Sequence, residues 1–172
     1  MTYTDLELFA GGGGLALGLN HSGFKSVGMI ENSHDACKTL KRNFANVPVI
    51  EHDITDLNSE SKGIQYLLSY YRKLDLISGG YPCHSYSYSG KQLGLADIRG
   101  TLFYNYAYFL KLIQPKMFVA ENVPGLRTND HGRTFKTMLN VFSECNYSNV
   151  PHIINILLAI FLHCKVGQKC YN

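Results

Sequence analysis

Five short β-prone runs, Leu6–Phe9, Val27–Ile30, Val49–Ile50, Leu74–Ser78 and Met117–Ala120, are each followed by a longer stretch whose apolar residues recur at helical spacing. The helical stretches are 15–21, 33–44, 60–72, 101–114 and 134–145, with Ser33 and Thr101 in N-cap positions. Repeated strand–helix units pack back onto one sheet through right-handed crossovers. The alternation therefore predicts an α/β fold with a doubly wound, mostly parallel sheet. Ligands of such sheets bind beyond the carboxyl ends of the strands. The loops at 10–14, 31–32, 53–54, 79–91 and 121–125 are expected to converge on one crevice.

At 172 residues and 45% hydrophobic content the chain can bury a core without disulfides or a structural metal. One domain is expected over 1–149, followed by a divergent apolar tail over 150–172. The five cysteines form no C-x-x-C pair, which signals neither a disulfide framework nor a zinc site and fits a reducing, cytoplasmic setting. The start of the chain lacks the basic and apolar pattern of a secretory signal. The longest apolar run, 153–162, is broken by Asn155 and falls short of the ~20 residues a membrane span needs, so no membrane partner is expected. A net charge of +3 permits nucleic acid as a partner without predicting it.

The loops carry the unusual chemistry. Phe9-Ala10-Gly11-Gly12-Gly13-Gly14 leaves a strand and opens a helix, where glycines let backbone approach a ligand closely. Glu31, at the end of the second strand, can accept hydrogen bonds from the ribose hydroxyls of a nucleoside cofactor. Asp53 can accept one from an adenine amino group while Ile54 packs on the ring. These features fit a nicotinamide dinucleotide and S-adenosylmethionine equally. The fourth loop, Gly79-Gly80-Tyr81-Pro82-Cys83-His84, presents Cys83 as a candidate nucleophile, since a thiol near basic groups and amides ionises more readily. A zinc deaminase would need a second cysteine at position 86, which is Tyr86. His84 diverges from Cys83 in an extended loop, which favours loop packing or substrate contact over a catalytic base. Tyr81, Tyr86 and Tyr88 either stack on bases or pack beneath the loop.

Four motifs in order, Leu8-Phe9-Ala10-Gly11-x-Gly13-Gly14, Gly80-x-Pro82-Cys83, Arg99-Gly100-x-Leu102-Phe103 and Glu121-Asn122-Val123, resemble those of the cytosine-5 DNA methyltransferases of bacterial restriction–modification systems. The resemblance spans roughly residues 5–147. It implies the Rossmann-like fold of S-adenosylmethionine-dependent methyltransferases, incomplete at the C-terminus, and methyl transfer to carbon 5 of cytosine in double-stranded DNA without a metal. By the same resemblance Cys83 attacks the base, Glu121 supplies a proton, Asn122 holds the local backbone and Arg99 braces the site. Phe9, Ala10, Gly11, Gly13, Gly14, Glu31, Asp53, Ile54, Gly80, Pro82 and Leu102 are implied to bind the cofactor, and Ser87 and Lys91 to approach DNA.

Two positions depart from the family pattern: Glu7 stands where aspartate is usual and His84 where glutamine is usual. The family's Gln-x-Arg-x-Arg element and target-recognition domain do not follow. The expectation is a truncated or frameshifted chain, with a second chain supplying target recognition. The alternatives are an inactive or partner-dependent remnant that binds cofactor without turnover, and an RNA-directed relative. If the apolar tail cannot complete the sheet, it should promote aggregation.

Overall fold

A computed structural model describes residues 2–70, 74–82, 102–147, 152–156 and 158–164, the last two segments as backbone. At the centre lies β1 (Tyr3–Leu8), flanked in parallel by β2 (Phe24–Glu31) and β4 (Leu76–Gly79). Leu6 and Leu8 are fully buried, as are Leu76 and Ile77 of the adjacent β4. A parallel strand covered on both faces needs such near-continuous apolar character. With β3 (Val49–Glu51), β5 (Met117–Asn122), β6 (His152–Ile156) and β7 (Leu158–Cys164), the strand order is β3-β2-β1-β4-β5-β7-β6. The five predicted strands are all present and parallel to their neighbours in that set.

The helices are α1 (Gly14–His21), α2 (His34–Asn43), α3 (Lys62–Tyr70), α4 (Leu102–Ile113) and α5 (Arg133–Glu144). Helix α2 starts as its sequence dictates. The Ser33 hydroxyl accepts the Ala36 N–H at 3.4 Å, Asp35 occupies the first turn, and Lys41 and Arg42 the last, all complementing the helix dipole. Thr101, the other expected cap, lies outside the described residues. Helix α3 begins two residues later than periodicity predicts because Asn58 takes the preceding turn: its side-chain oxygen accepts the N–H groups of Glu60 (2.8 Å) and Ser61 (3.1 Å). Strands β1 and β2 begin three residues early because Tyr3–Asp5 pair with Phe24–Ser26, so tertiary pairing overrides weak local propensity.

The core between the sheet and the helices after it is aromatic. Phe103, Tyr106 and Phe109 of α4 are buried with Phe118 of β5, Phe142 of α5 and Tyr147. Phe118 packs on Phe142 with ring centroids 4.5 Å apart and on Tyr147 at 5.0 Å. The Tyr106 hydroxyl lies between the carbonyls of Ile77 (3.2 Å) and Val119 (3.0 Å), so the largest buried ring keeps a polar partner.

Within the apolar tail expected over 150–172, His152–Ile156 and Leu158–Cys164 pair as antiparallel strands. Strand β7 runs antiparallel to β5 from Met117↔Cys164 to Asn122↔Ala159. β-branched residues suit a strand, and this pairing covers an edge of β5 that would otherwise present bare N–H and C=O groups. Among the described residues no helix is long and apolar enough to cross a membrane.

Candidate active site

The chain winds one way from β1 to β2 and β3 and the other way to β4 and β5, so a crevice opens at the carboxyl ends of β1 and its neighbours. A pocket of about 560 Å³, counting space open to solvent, occupies it. Phe9 follows β1, Glu31 ends β2, and Asp53 and Ile54 follow β3; Gly80 and Pro82 follow β4, and Leu102 opens α4. The structure brings these predicted residues together as its lining. Ile30, Asn32 and His52 also line it and were missed. Their residue types carry no signal of their own; the only pointer was adjacency to Glu31 and Asp53.

The remaining glycine-loop residues build the turn rather than the wall. Ala10 is buried, and its N–H donates to the Ile30 carbonyl at 3.1 Å. Gly13 has φ +85°, and a Cβ there would lie 2.5 Å from the Phe44 ring and 2.9 Å from Leu40, so only glycine lets α2 come this close. Gly14 begins α1 in open space. Phe9 adopts φ +56°, a left-handed conformation that costs a bulky residue about 1–3 kcal/mol. That strain sits where the chain turns from strand to pocket wall.

Two carboxylates are held by peptide groups. Glu31 Oε2 accepts the Gly11 N–H at 2.7 Å, and Oε1 accepts those of Asn32 (3.0 Å) and Ser33 (2.8 Å). One side chain thus ties the glycine loop to the start of α2, and acceptor capacity remains, chiefly on Oε2. Asp53 Oδ1 accepts both the Thr55 N–H (2.9 Å) and the Thr55 hydroxyl (2.7 Å). These bonds, the backbone one foremost, hold the Asp53 carboxyl below its ordinary range and keep it an acceptor.

At the neighbouring strand ends, Glu121 closes β5 against Gly80. Any Cβ at Gly80 would collide with Glu121 Oε2, and one at Gly79 with the Leu8 carbonyl, which explains the glycine pair. Partial burial raises the Glu121 pKa and so favours its neutral, proton-carrying form. Buried Asn122 donates from Nδ2 to the Tyr81 carbonyl (3.1 Å) and accepts the Val123 N–H (2.9 Å), bracing the loops after β4 and β5 against each other. Tyr81 takes the packing role: its buried ring lies 5.6 Å from those of Phe103 and Tyr106, and its hydroxyl reaches Met138 Sδ at 3.7 Å. Cys83, Arg99, Ser87 and Lys91, with His84, Tyr86 and Tyr88, lie outside the described residues. Cys37 and Cys145 are buried free thiols.

A second acidic pair is buried within β1. Asp5 and Glu7 point to one face, and Asp5 Oδ1 and Oδ2, Glu7 Oε2 and the Ser78 hydroxyl have no partner of hydrogen-bonding geometry among the described residues. Burial pushes the Asp5 pKa up to about 7, only partly offset by Ser78 beside it. Burial, together with the Asp5 charge, pushes Glu7 up to about 8, although Glu7 also meets the Ala16 amide at the start of α1.

The strand order, crevice and pocket are those of a Rossmann-like methyltransferase domain. Residues 3–158 match the model of the C-5 cytosine-specific DNA methylases, and the chain belongs to that family. It is 47% identical over 168 residues to the type II methyltransferase M.PspPI of Psychrobacter sp. (strain TA137), covering 98% of this chain and 38% of that protein. It is 43% identical to the type II methyltransferase M.Eco47II of Escherichia coli, covering 97% of this chain and 37% of the relative. The chain thus spans well under half the length of these relatives. Among solved structures it resembles an E. coli prophage protein described as a DNA modification methyltransferase, with TM-score 0.74 and 25% identity over 95% of this chain and 47% of that one. The fold is shared with Spodoptera frugiperda DNMT2, with TM-score 0.69 and 21% identity over 96% of this chain and 51% of that one.

Proposed function

We propose that the chain carries the cofactor pocket and chemical machinery for methylating carbon 5 of cytosine in DNA, with S-adenosylmethionine as donor. The observation that carries this reading is the meeting of two kinds of wall at one crevice. One wall has acceptors and apolar surface suited to an adenosine group: Glu31, ionised Asp53, Phe9 and Ile54. The other is Gly80, three residues before Cys83 in sequence, with Glu121 packed against it. These donor and acceptor types fit S-adenosylmethionine, which when bound supplies a methyl group on a positively charged sulfur. The names of the type II relatives support DNA as the substrate.

Carbon 5 of cytosine is a weak nucleophile until the ring loses its aromaticity. The Cys83 thiolate forms a bond to carbon 6, and the displaced electron pair moves through the ring to nitrogen 3. Glu121, whose carboxyl partial burial shifts toward holding its proton, donates a proton there. Carbon 5 then carries enamine density and takes the methyl group. Loss of the carbon 5 proton to a base returns the electron pair, expels the thiolate, and restores the Glu121 proton. Arg99 braces this arrangement, and Asn122 holds the backbone through Tyr81. Ser87 and Lys91 contact the DNA from which the target base is rotated out. In this reading residues 1–149 are the catalytic unit, and sequence-specific base contacts come from further polypeptide, in the same chain or a second one.

DNA carrying 5-fluorocytosine tests the chemistry, because fluorine cannot leave as a proton and the adduct persists. With S-adenosylmethionine the chain should form a denaturation-resistant DNA adduct that maps to Cys83 and vanishes in Cys83→Ala. Glu121→Gln should slow its formation by about 10²–10⁴-fold. A folded chain that binds cofactor yet forms no adduct on varied DNA would overturn autonomous catalysis. It would leave the partner-dependent reading, which addition of a chain carrying a target-recognition domain then tests.

A further inference from the structure

Asp53 has two oxygens, and both bonds from Thr55 fall on one of them. The Thr55 N–H (2.9 Å) and hydroxyl (2.7 Å) converge on Oδ1. Two bonds on one oxygen restrict how the carboxylate can turn, and neither Thr55 bond falls on its second oxygen, Oδ2. Asn32, another residue of the pocket wall, adds a favourable side-chain contact to the same carboxylate. Thr55 itself is exposed and is not part of the pocket lining.

We propose that Thr55 is a positioning residue that makes this pocket select a purine bearing a 6-amino group over one bearing a 6-oxo group. The inference rests on the adenosine-cofactor reading above. The 6-amino group donates a hydrogen bond to a fixed anionic acceptor, whereas a 6-oxo group turns lone pairs toward it and leaves both groups unsatisfied. The grip matters because an acceptor free to swing away would meet either base with less penalty. Thr55 acts through Asp53 and contacts no ligand.

The test is calorimetric binding of S-adenosylhomocysteine and S-inosylhomocysteine to the full chain, to Thr55→Val and to Thr55→Ser. Valine keeps the shape and the backbone N–H but removes the hydroxyl; serine keeps the hydroxyl. The native chain should favour the adenosyl ligand by at least about tenfold, the scale of a charge-assisted hydrogen bond. Thr55→Val should lose most of that preference by weakening the adenosyl ligand alone, and Thr55→Ser should retain it. Equal weakening of both ligands in Thr55→Val, an unchanged ratio, or loss of preference in Thr55→Ser would overturn the role of Thr55 while leaving the cofactor reading intact. Native protein that is folded by circular dichroism and binds neither ligand would overturn the cofactor reading and this inference with it.

Discussion

Carboxylates at the ends of the strands and carboxylates inside β1 share a chemistry but not an electrostatic state. Glu31 and Asp53 stand where the chain leaves the sheet, and peptide N–H groups freed from the ladder turn toward them. Asp5 and Glu7 stand within a strand paired on both sides, where the ladder consumes the peptide donors. Both members of the first pair accept N–H donors and line the pocket, and Asp53 is held below its ordinary range; the second pair is desolvated and holds its protons to near or above neutrality. Glu121 is intermediate, at a strand end yet partly buried, and burial raises its pKa. Donor supply and burial thus set these acids apart: Asp53 is held down, Glu121 is raised, and Asp5 and Glu7 are raised to about 7 and 8.

The largest effect is expected at β1, in the pH dependence of stability. Asp5 and Glu7 bind protons more tightly folded than unfolded, so their contribution is complete below about pH 4 and is lost as pH rises through about 7 and 8. Urea unfolding between pH 5 and 9 should show stability falling by on the order of a few kcal/mol from this pair, and Asp5→Asn should flatten the slope. A slope unchanged in Asp5→Asn would mean that the buried pair is not what titrates.

Smaller effects are expected at the pocket. Gly80→Ala forces Glu121 aside and should cost about 1–3 kcal/mol in the same assay. The displaced carboxyl should also move toward its ordinary pKa, which carbon-detected NMR of Glu121 reads directly. Asp53→Asn should be smallest and opposite in direction. The Asp53 pKa is lowered in the fold, so its contribution exists above the unfolded value and disappears as pH falls through the folded one. Solvent screening keeps it within about 1 kcal/mol. A loss of stability on the alkaline side at Asp53 would contradict the assignment of the two classes.

The strand–helix alternation was legible because parallel strands buried on both faces and amphipathic helices have different periods, and the strand-end motifs then had only one crevice to share. Three things were not legible for physical reasons. The β6–β7 hairpin arises from a mostly apolar stretch whose partner, β5, lies about forty residues earlier, so no local period announces it. Asn32 and His52 reach the pocket only when the sheet closes, and nothing in their residue types sets them apart beforehand. Asp5 reads as a polar residue before a strand, yet pairing with β2 and β4 draws it fully inside.

The antiparallel pairing of β7 with β5 reaches Glu121↔Ile160 and Asn122↔Ala159. During synthesis on the ribosome, the backbone beneath Glu121 and Asn122 therefore stays flanked on one side only until residues near 160 have emerged. A stop before that point would leave β5 as an exposed sheet edge, a template for pairing between chains, although every strand whose end borders the pocket had already been made.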